Sequence, residues 1–180
     1  MNNKEFWIWL AGFIDGDGCF CLNCSIPRGY TRKDGYTRKY IVFAPTVSIK
    51  LRDYDASTLD YIQQQSGCGR RYAANRDGHT PEAIWQTVTY REAIKICKGV
   101  LPYLIPKRQS CEVLLKAAKF IEENSRRRNG NWQKGGYQNL ERIQKLRELR
   151  EQINPNRSQN YKRLNLSDER IEDVLATQRF

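Results

Sequence analysis

Between Phe6 and Ile14 the chain sets Phe6, Trp7, Ile8, Trp9, Leu10, Phe13 and Ile14 so densely that a helix there has almost no polar face. Such a helix must be buried on nearly every side. Asn3 is the expected cap, and the helix is predicted to run to about Gly16. From Cys19 to Ile26 the period changes to two: Phe20, Leu22, Cys24 and Ile26 on one face, Cys19, Cys21, Asn23 and Ser25 on the other. Pro27 to Thr37 is a turn-rich basic tip. The return strand, Arg38 to Leu51, turns Ile41, Phe43, Val47, Ile49 and Leu51 inward and Arg38, Tyr40, Thr46, Ser48 and Lys50 outward. Pro45 within it argues for an edge position or a bulge.

A helix follows over about Ser57–Gln65 and stops at Gly67; a second hairpin takes roughly Cys68–Ala74 and Ala83–Tyr90. Arg91–Val100 reads as a helix with Ala93, Ile94 and Cys97 on one side, broken by Pro102. Gln109–Glu123 is another, with Val113, Leu114, Ala117, Ala118 and Ile121 inward. Arg126–Gly136 is a basic, glycine-containing loop. Leu140, Ile143, Leu146, Leu149 and Ile153 mark an amphipathic helix ending before Pro155. Ser167, with Asp168 and Glu169, opens a last short helix carrying Ile171, Val174 and Leu175. The order helix–strand–strand–helix–strand–strand–helix predicts an α+β fold, a four-stranded antiparallel sheet backed by helices. The chain has the size of one domain. Residues 1–123 are expected to form its core, and 124–180 a basic loop and helical extension packed on that core.

Charge sharpens this picture. Lys and Arg number 31 against 20 Asp and Glu, a net +11 that favours a polyanionic partner. The stretch Arg126–Arg163 holds eleven basic and three acidic residues, so +8 of that surplus lies there. This is the pattern of a segment that tracks phosphates. No apolar run approaches the ~18–20 residues of a membrane span. The N-terminal run is flanked by Glu5, Asp15 and Asp17, the wrong surroundings for a signal peptide, and no Arg-rich transit segment is seen. The expected compartment is a prokaryotic cytoplasm or the organelle (chloroplast or mitochondrion) that encodes the protein. Six cysteines suggest metal, but Cys21 and Cys24 fall on opposite faces of a strand, no second CxxC exists and His79 is the sole histidine. Free thiols in a reducing compartment are expected instead.

The end of the first helix carries the chemistry. Gly12 and Gly16 lie four apart on one face, where glycine costs a helix roughly 0.5–1 kcal/mol relative to alanine. Two on one face point to the close approach of another backbone. Asp17 stands where unpaired carbonyls make the helix end negative, a poor place for a carboxylate without a cation beside it. If two copies of the helix pair, two acidic ends converge on a site suited to divalent metal.

Residues 10–18, Leu-Ala-Gly-Phe-Ile-Asp-Gly-Asp-Gly, resemble the signature of the LAGLIDADG homing endonucleases, and their surroundings the single-motif, homodimeric I-CreI-like branch. The resemblance extends through about residue 121 in its order of elements. It implies an αββαββα fold whose sheet forms a saddle over double-stranded DNA. It also implies a homodimer joined through Leu10, Gly12, Phe13 and Gly16, cutting a long near-palindromic site during intron homing. Asp17 would then be the essential metal ligand, the Gly16 carbonyl its neighbour, and Mg²⁺ the cofactor with Mn²⁺ as substitute. Asp15 would cap or brace the interface rather than bind metal. Pro102-Tyr103-Leu104-Ile105-Pro106-Lys107 matches the turn that carries the family's lysine, which gives Lys107 the charge-stabilising role. Lys50, after a one-residue insertion, takes the place of the polar residue that organises solvent.

Base readout is expected from the outer sheet face: Cys21, Asn23, Ser25, Arg28, Tyr30, Arg32, Arg38, Tyr40, Thr46, Ser48, Arg70, Tyr72 and Gln86. Arg126, Arg127, Arg128 and Lys134 would grip backbone. Two other readings share the fold: a maturase binding intron RNA, and a DNA-binding regulator without cleavage. The retained Asp15 and Asp17 favour the nuclease.

Overall fold

The computed structural model describes residues 2–26, 30–31, 33, 35, 37–38, 41–74, 78, 80–124, 140–153 and 168–177. Helix α1 spans Asn3–Asp17, and its cap is Asn2 rather than the expected Asn3. The reason is a reciprocal capping box, which needs an acid three residues past the cap. The Glu5 N–H donates to Asn2 Oδ1 at 2.9 Å, and the Asn2 N–H donates to Glu5 Oε2 at 2.9 Å. Phe6, Leu10, Ala11 and Ile14 form the buried face of α1.

Strands β1 (Gly18–Ser25) and β4 (Val42–Arg52) pair antiparallel from Gly18↔Ile49 to Ser25↔Val42. Between them β2 (Tyr30–Thr31) and β3 (Thr37–Arg38) form a separate two-stranded ribbon, so the single return strand expected over Arg38–Leu51 is two elements. Strands β5 (Arg70–Ala74) and β6 (Glu82–Gln86) complete a sheet of order β1-β4-β6-β5. Although β4 is central, its ladder with β6 begins only at Ser48. Pro45 opposes Leu22 of β1 in a stretch where β4 has no ladder on its other side, so it is locally at an edge.

Helix α2 (Ala56–Ser66) ends at Gly67 in the left-handed conformation. The second hairpin is shorter than predicted. Cys68 precedes β5, and Tyr90 opens helix α3 (Tyr90–Val100) instead of ending a strand, because Thr89 Oγ1 accepts from the Glu92 N–H at 3.2 Å and caps it. One turn of 3₁₀ helix, Leu101–Tyr103, leads to helix α4 (Arg108–Asn124). Helix α5 (Leu140–Ile153) and helix α6 (Asp168–Ala176) follow. The proposed caps and loops at 125–139 and 154–167, Ser167 among them, lie outside the described residues.

The inner sheet face carries Phe20, Leu22, Phe43, Val47, Ile49, Ala83 and Trp85, all buried against the helices. The indole N–H of Trp85 donates to the Cys68 carbonyl at 3.0 Å, so its one polar atom is satisfied inside the core. Gly69, at φ +80°, lies so close to the Trp85 ring that any side chain there would collide with it. Helix α5 packs on α4 and β1 through Ile143, Leu146, Leu149 and Ile153, while Leu140, expected on the same face, is exposed. Among the described residues no helix is long and apolar enough to cross a membrane.

Candidate active site and nucleic-acid face

Helix α1 has no basic residue in its last turn, yet its C-terminal carbonyls are not left bare. Lys107, reached through the 3₁₀ turn and Pro106, donates through Nζ to the carbonyls of Ile14 at 2.8 Å, Gly16 at 3.0 Å and Gly18 at 2.8 Å. An ammonium has three N–H donors, and all three are engaged. The return contact comes from Asp15. Its Oδ2 accepts from the Ile105 N–H at 2.8 Å and its Oδ1 from the Lys107 N–H at 3.1 Å. Asp15 therefore fixes the turn that delivers Lys107, and Lys107 neutralises the helix end from which both acids project. No local sequence signal announces this clasp, because its halves lie 90 or so residues apart. Asp17 itself is exposed at the end of α1.

The exposed stripe of α1 runs through Glu5, Ile8, Gly12 and Gly16. Beyond the backbone of α1 itself, a methyl group built on Gly12 or Gly16 would meet no atom within 4 Å among the described residues, so packing among them requires neither glycine. Leu10 does not belong to that stripe. It is 0 % exposed within the core, on the opposite side of the helix from Gly12, which corrects its assignment to a dimer interface. Ile8, 46 % exposed, is the apolar side chain on that stripe. Phe13 is half-buried, stacked on Trp9 with ring centroids 5.3 Å apart.

On the sheet face turned from the helices, the register builds a row across all four strands: Cys19, Ser48, Gln86 and Arg70. Next to it runs the row Lys50, Ile84, Tyr72. Of the expected readers, Asn23, Ser25, Arg70 and Tyr72 are exposed, and Ser48 and Gln86 half-buried. Burial raises the Tyr72 phenol above its ordinary value, against the opposing effect of its Gln86 hydrogen bond. Cys21 and Thr46 are corrections: facing each other across β1 and β4, they are 8 % and 5 % exposed. Asn23 covers them, with its Nδ2 donating to Thr46 Oγ1 at 3.1 Å and its Oδ1 accepting from Cys21 Sγ at 3.1 Å.

Lys50 stands one residue past the Gly18↔Ile49 pair, and its Nζ lies 2.6 Å from Glu82 Oε2. Arg71 turns to the inner side, where its Nε donates to Asp60 of α2 at 2.6 Å. Tyr30 and Arg38 oppose each other in the β2–β3 ribbon. Arg28, Arg32, Tyr40, Arg126, Arg127, Arg128 and Lys134 lie outside the described residues. The CxxC is split as its strand requires, and burial pushes the Cys24 thiol up to about 11. Among the described residues no group of three His, Cys, Asp or Glu side chains could hold a metal.

The model of the LAGLIDADG endonuclease family matches residues 10–108. No curated protein matches the chain significantly. Among solved structures, the homing endonuclease I-CvuI, bound to its target in the presence of calcium, is 19 % identical over 98 % of this chain and 96 % of its own, with a TM-score of 0.65. The archaeal intron-encoded homing endonuclease I-Vdi141I, complexed with DNA, is 14 % identical over 98 % and 96 %, with a TM-score of 0.64. The meganuclease I-AabMI, bound to uncleaved DNA, is 24 % identical over 96 % of this chain and 48 % of its own, with a TM-score of 0.59. At these identities the likeness is one of fold.

Proposed function

The chain belongs to the LAGLIDADG endonuclease family, and on that premise we propose that it acts as a homodimeric homing endonuclease making a double-strand break in a near-palindromic DNA site. The observation that carries this reading is that the acidic site is half a site. One exposed carboxylate, Asp17, ends a helix whose glycine face is open, Asp15 beside it is engaged by the Ile105 and Lys107 N–H groups, and no group of three metal-ligating side chains forms among the described residues. Two copies paired along Ile8, Gly12 and Gly16 bring two Asp17 side chains together, and two strand-cleaving centres are what a duplex break requires. A two-fold dimer meets a two-fold target, hence the near-palindrome.

Asp17 and the Gly16 carbonyl are hard oxygen donors, the chemistry that Mg²⁺ takes, with Mn²⁺ as substitute. Among the described residues Asp17 has no hydrogen-bonding or ionic partner that would compete for it. The Gly16 oxygen gives one lone pair to Lys107 and keeps the other. Mg²⁺ held there would supply the Lewis acid for phosphodiester hydrolysis. The chain's own residues hold that end in place. Asp15 sets the turn, Lys107 stands 3.0 Å from the Gly16 oxygen as a fixed positive charge, and the outer sheet face orients the duplex.

The test is a cleavage selection from a randomised duplex library, with the wild type beside Asp17→Asn, in Mg²⁺ and in Ca²⁺. Discrete double-strand breaks at one near-palindromic motif, dependent on Mg²⁺ and on Asp17, are expected. Bound but uncut DNA under every condition would replace the nuclease with a regulator.

A further inference from the structure

We propose that Asn23 reads an adenine in the major groove, its amide locked in the reading orientation by Cys21 and Thr46, while Ala44 beside it receives the methyl group of the paired thymine. The inference rests on the DNA-binding reading above.

The lock follows from a chain of donors. The Thr46 hydroxyl donates to the Ala44 carbonyl at 3.1 Å, so toward Asn23 its oxygen can only accept. The Asn23 atom facing Thr46 must therefore be Nδ2, which donates at 3.1 Å. On the other side the Cys21 thiol donates to Oδ1 at 3.1 Å. The Thr46 contact fixes which way round the amide sits, a choice that an exposed asparagine otherwise leaves open, and the thiol, able to donate, supports the same orientation. Thr46 and Cys21 are buried beneath it, at 5 % and 8 % exposure, so they hold Asn23 and leave contact with the duplex to it.

The internal bonds use one N–H and one lone pair of the amide. One N–H and one lone pair remain, on a residue that is exposed. Adenine alone offers their complement in the major groove, the N7 acceptor beside the N6 donor. A freely turning amide could aim that N–H alone at the oxygen of guanine or thymine, whereas the lock holds N–H and lone pair side by side, so that guanine sets a second acceptor, and thymine its methyl, against the lone pair. Across the register Asn23 faces Ala44, which is exposed and bears only a methyl. A methyl is what packs on the thymine C5-methyl. The strand pair thus offers one group to each base of an A·T pair.

Wild type, Asn23→Ala, Asn23→Asp and Thr46→Val are each selected for binding to randomised duplexes without Mg²⁺, and the bound pools sequenced. Wild type is expected to fix A·T at one position in each half-site, with at least tenfold preference. Asn23→Ala should flatten that position and Asn23→Asp move it to cytosine, whose amino group a carboxylate accepts. Thr46→Val should broaden it toward guanine and thymine while the other positions keep their preferences. A defined wild-type site that Asn23→Ala leaves unchanged at every position overturns the readout but not the DNA-binding reading. A flattened Asn23→Ala profile with an unaltered Thr46→Val profile overturns the lock. If the wild type selects no sequence, the DNA-binding reading falls and takes this inference with it.

Discussion

Lys107 is the residue whose role the structure changes most. An active-site lysine held only for contact with phosphate would be indifferent to folding, but this one caps α1 with three charged hydrogen bonds. Hydrogen bonds to a charged group contribute about 1.5–3 kcal/mol each, and water satisfies part of what is lost at a half-buried site. Lys107→Met should therefore destabilise the protein by about 2–4 kcal/mol, read as a lowered denaturant midpoint with an unchanged slope. Asp15→Asn should cost less, about 1–2 kcal/mol, since the amide oxygen still accepts one N–H. The two changes should be less than additive in a double-mutant cycle, because each loosens the same turn. A Lys107→Met variant as stable as the wild type would remove the clasp.

At the scale of the element, α1 serves two masters on two faces. Phe6, Leu10 and Ile14 are committed to the core, whereas Glu5, Ile8, Gly12 and Gly16 face outward. The proposed pairing of two such helices gives Gly12 a test with opposite signs. Among the described residues a methyl added there meets nothing beyond α1's own backbone, so Gly12→Ala should stabilise the isolated helix by about 0.5–1 kcal/mol. The same methyl should hold two helices apart and weaken the dimer. Sedimentation at falling concentration should show Gly12→Ala dissociating first, while its monomer unfolds no earlier than wild type. Equal dimerisation of both proteins would place the interface elsewhere.

For the whole molecule the governing quantity is the distribution of charge. Of the net +11, +8 falls between Arg126 and Arg163, far along the chain from the motif at its start. A segment that grips phosphates adds affinity for every duplex in proportion to the counterions it releases. Replacing Arg126, Arg127 and Arg128 together with alanine should weaken binding to specific and unrelated duplexes alike. The slope of log K against log salt should become shallower by up to about 3, read from titrations at several salt concentrations. A change confined to one target sequence would assign the segment to base readout instead.

Local patterns were enough to read most of the elements, though the return strand over Arg38–Leu51 is two. The apolar density of α1, the period-two alternation of β1 and β4, and Gly67 and Pro102 as stops all report forces that act within a few residues. The family signature and the placement of Asp17 at a helix end were legible for the same reason. Errors came where a neighbour's chemistry decided the outcome. Asn2 rather than Asn3 caps α1 because Glu5 closes the box, and Tyr90 became helical because Thr89 caps it. A uniformly apolar helix does not reveal its phase, so which of its apolar residues are covered, Leu10, and which left exposed, Ile8, was decided by packing. Cys21 and Thr46 are outward by alternation yet buried by Asn23, a contact formed only when β1 lies on β4. That the end of α1 is negative could be inferred from its sequence, but that Lys107 covers its carbonyls, with Asp15 holding the turn, was settled only by tertiary structure. Hydrogen bonds between residues 90 positions apart leave no local pattern, because their geometry exists only after the chain has packed.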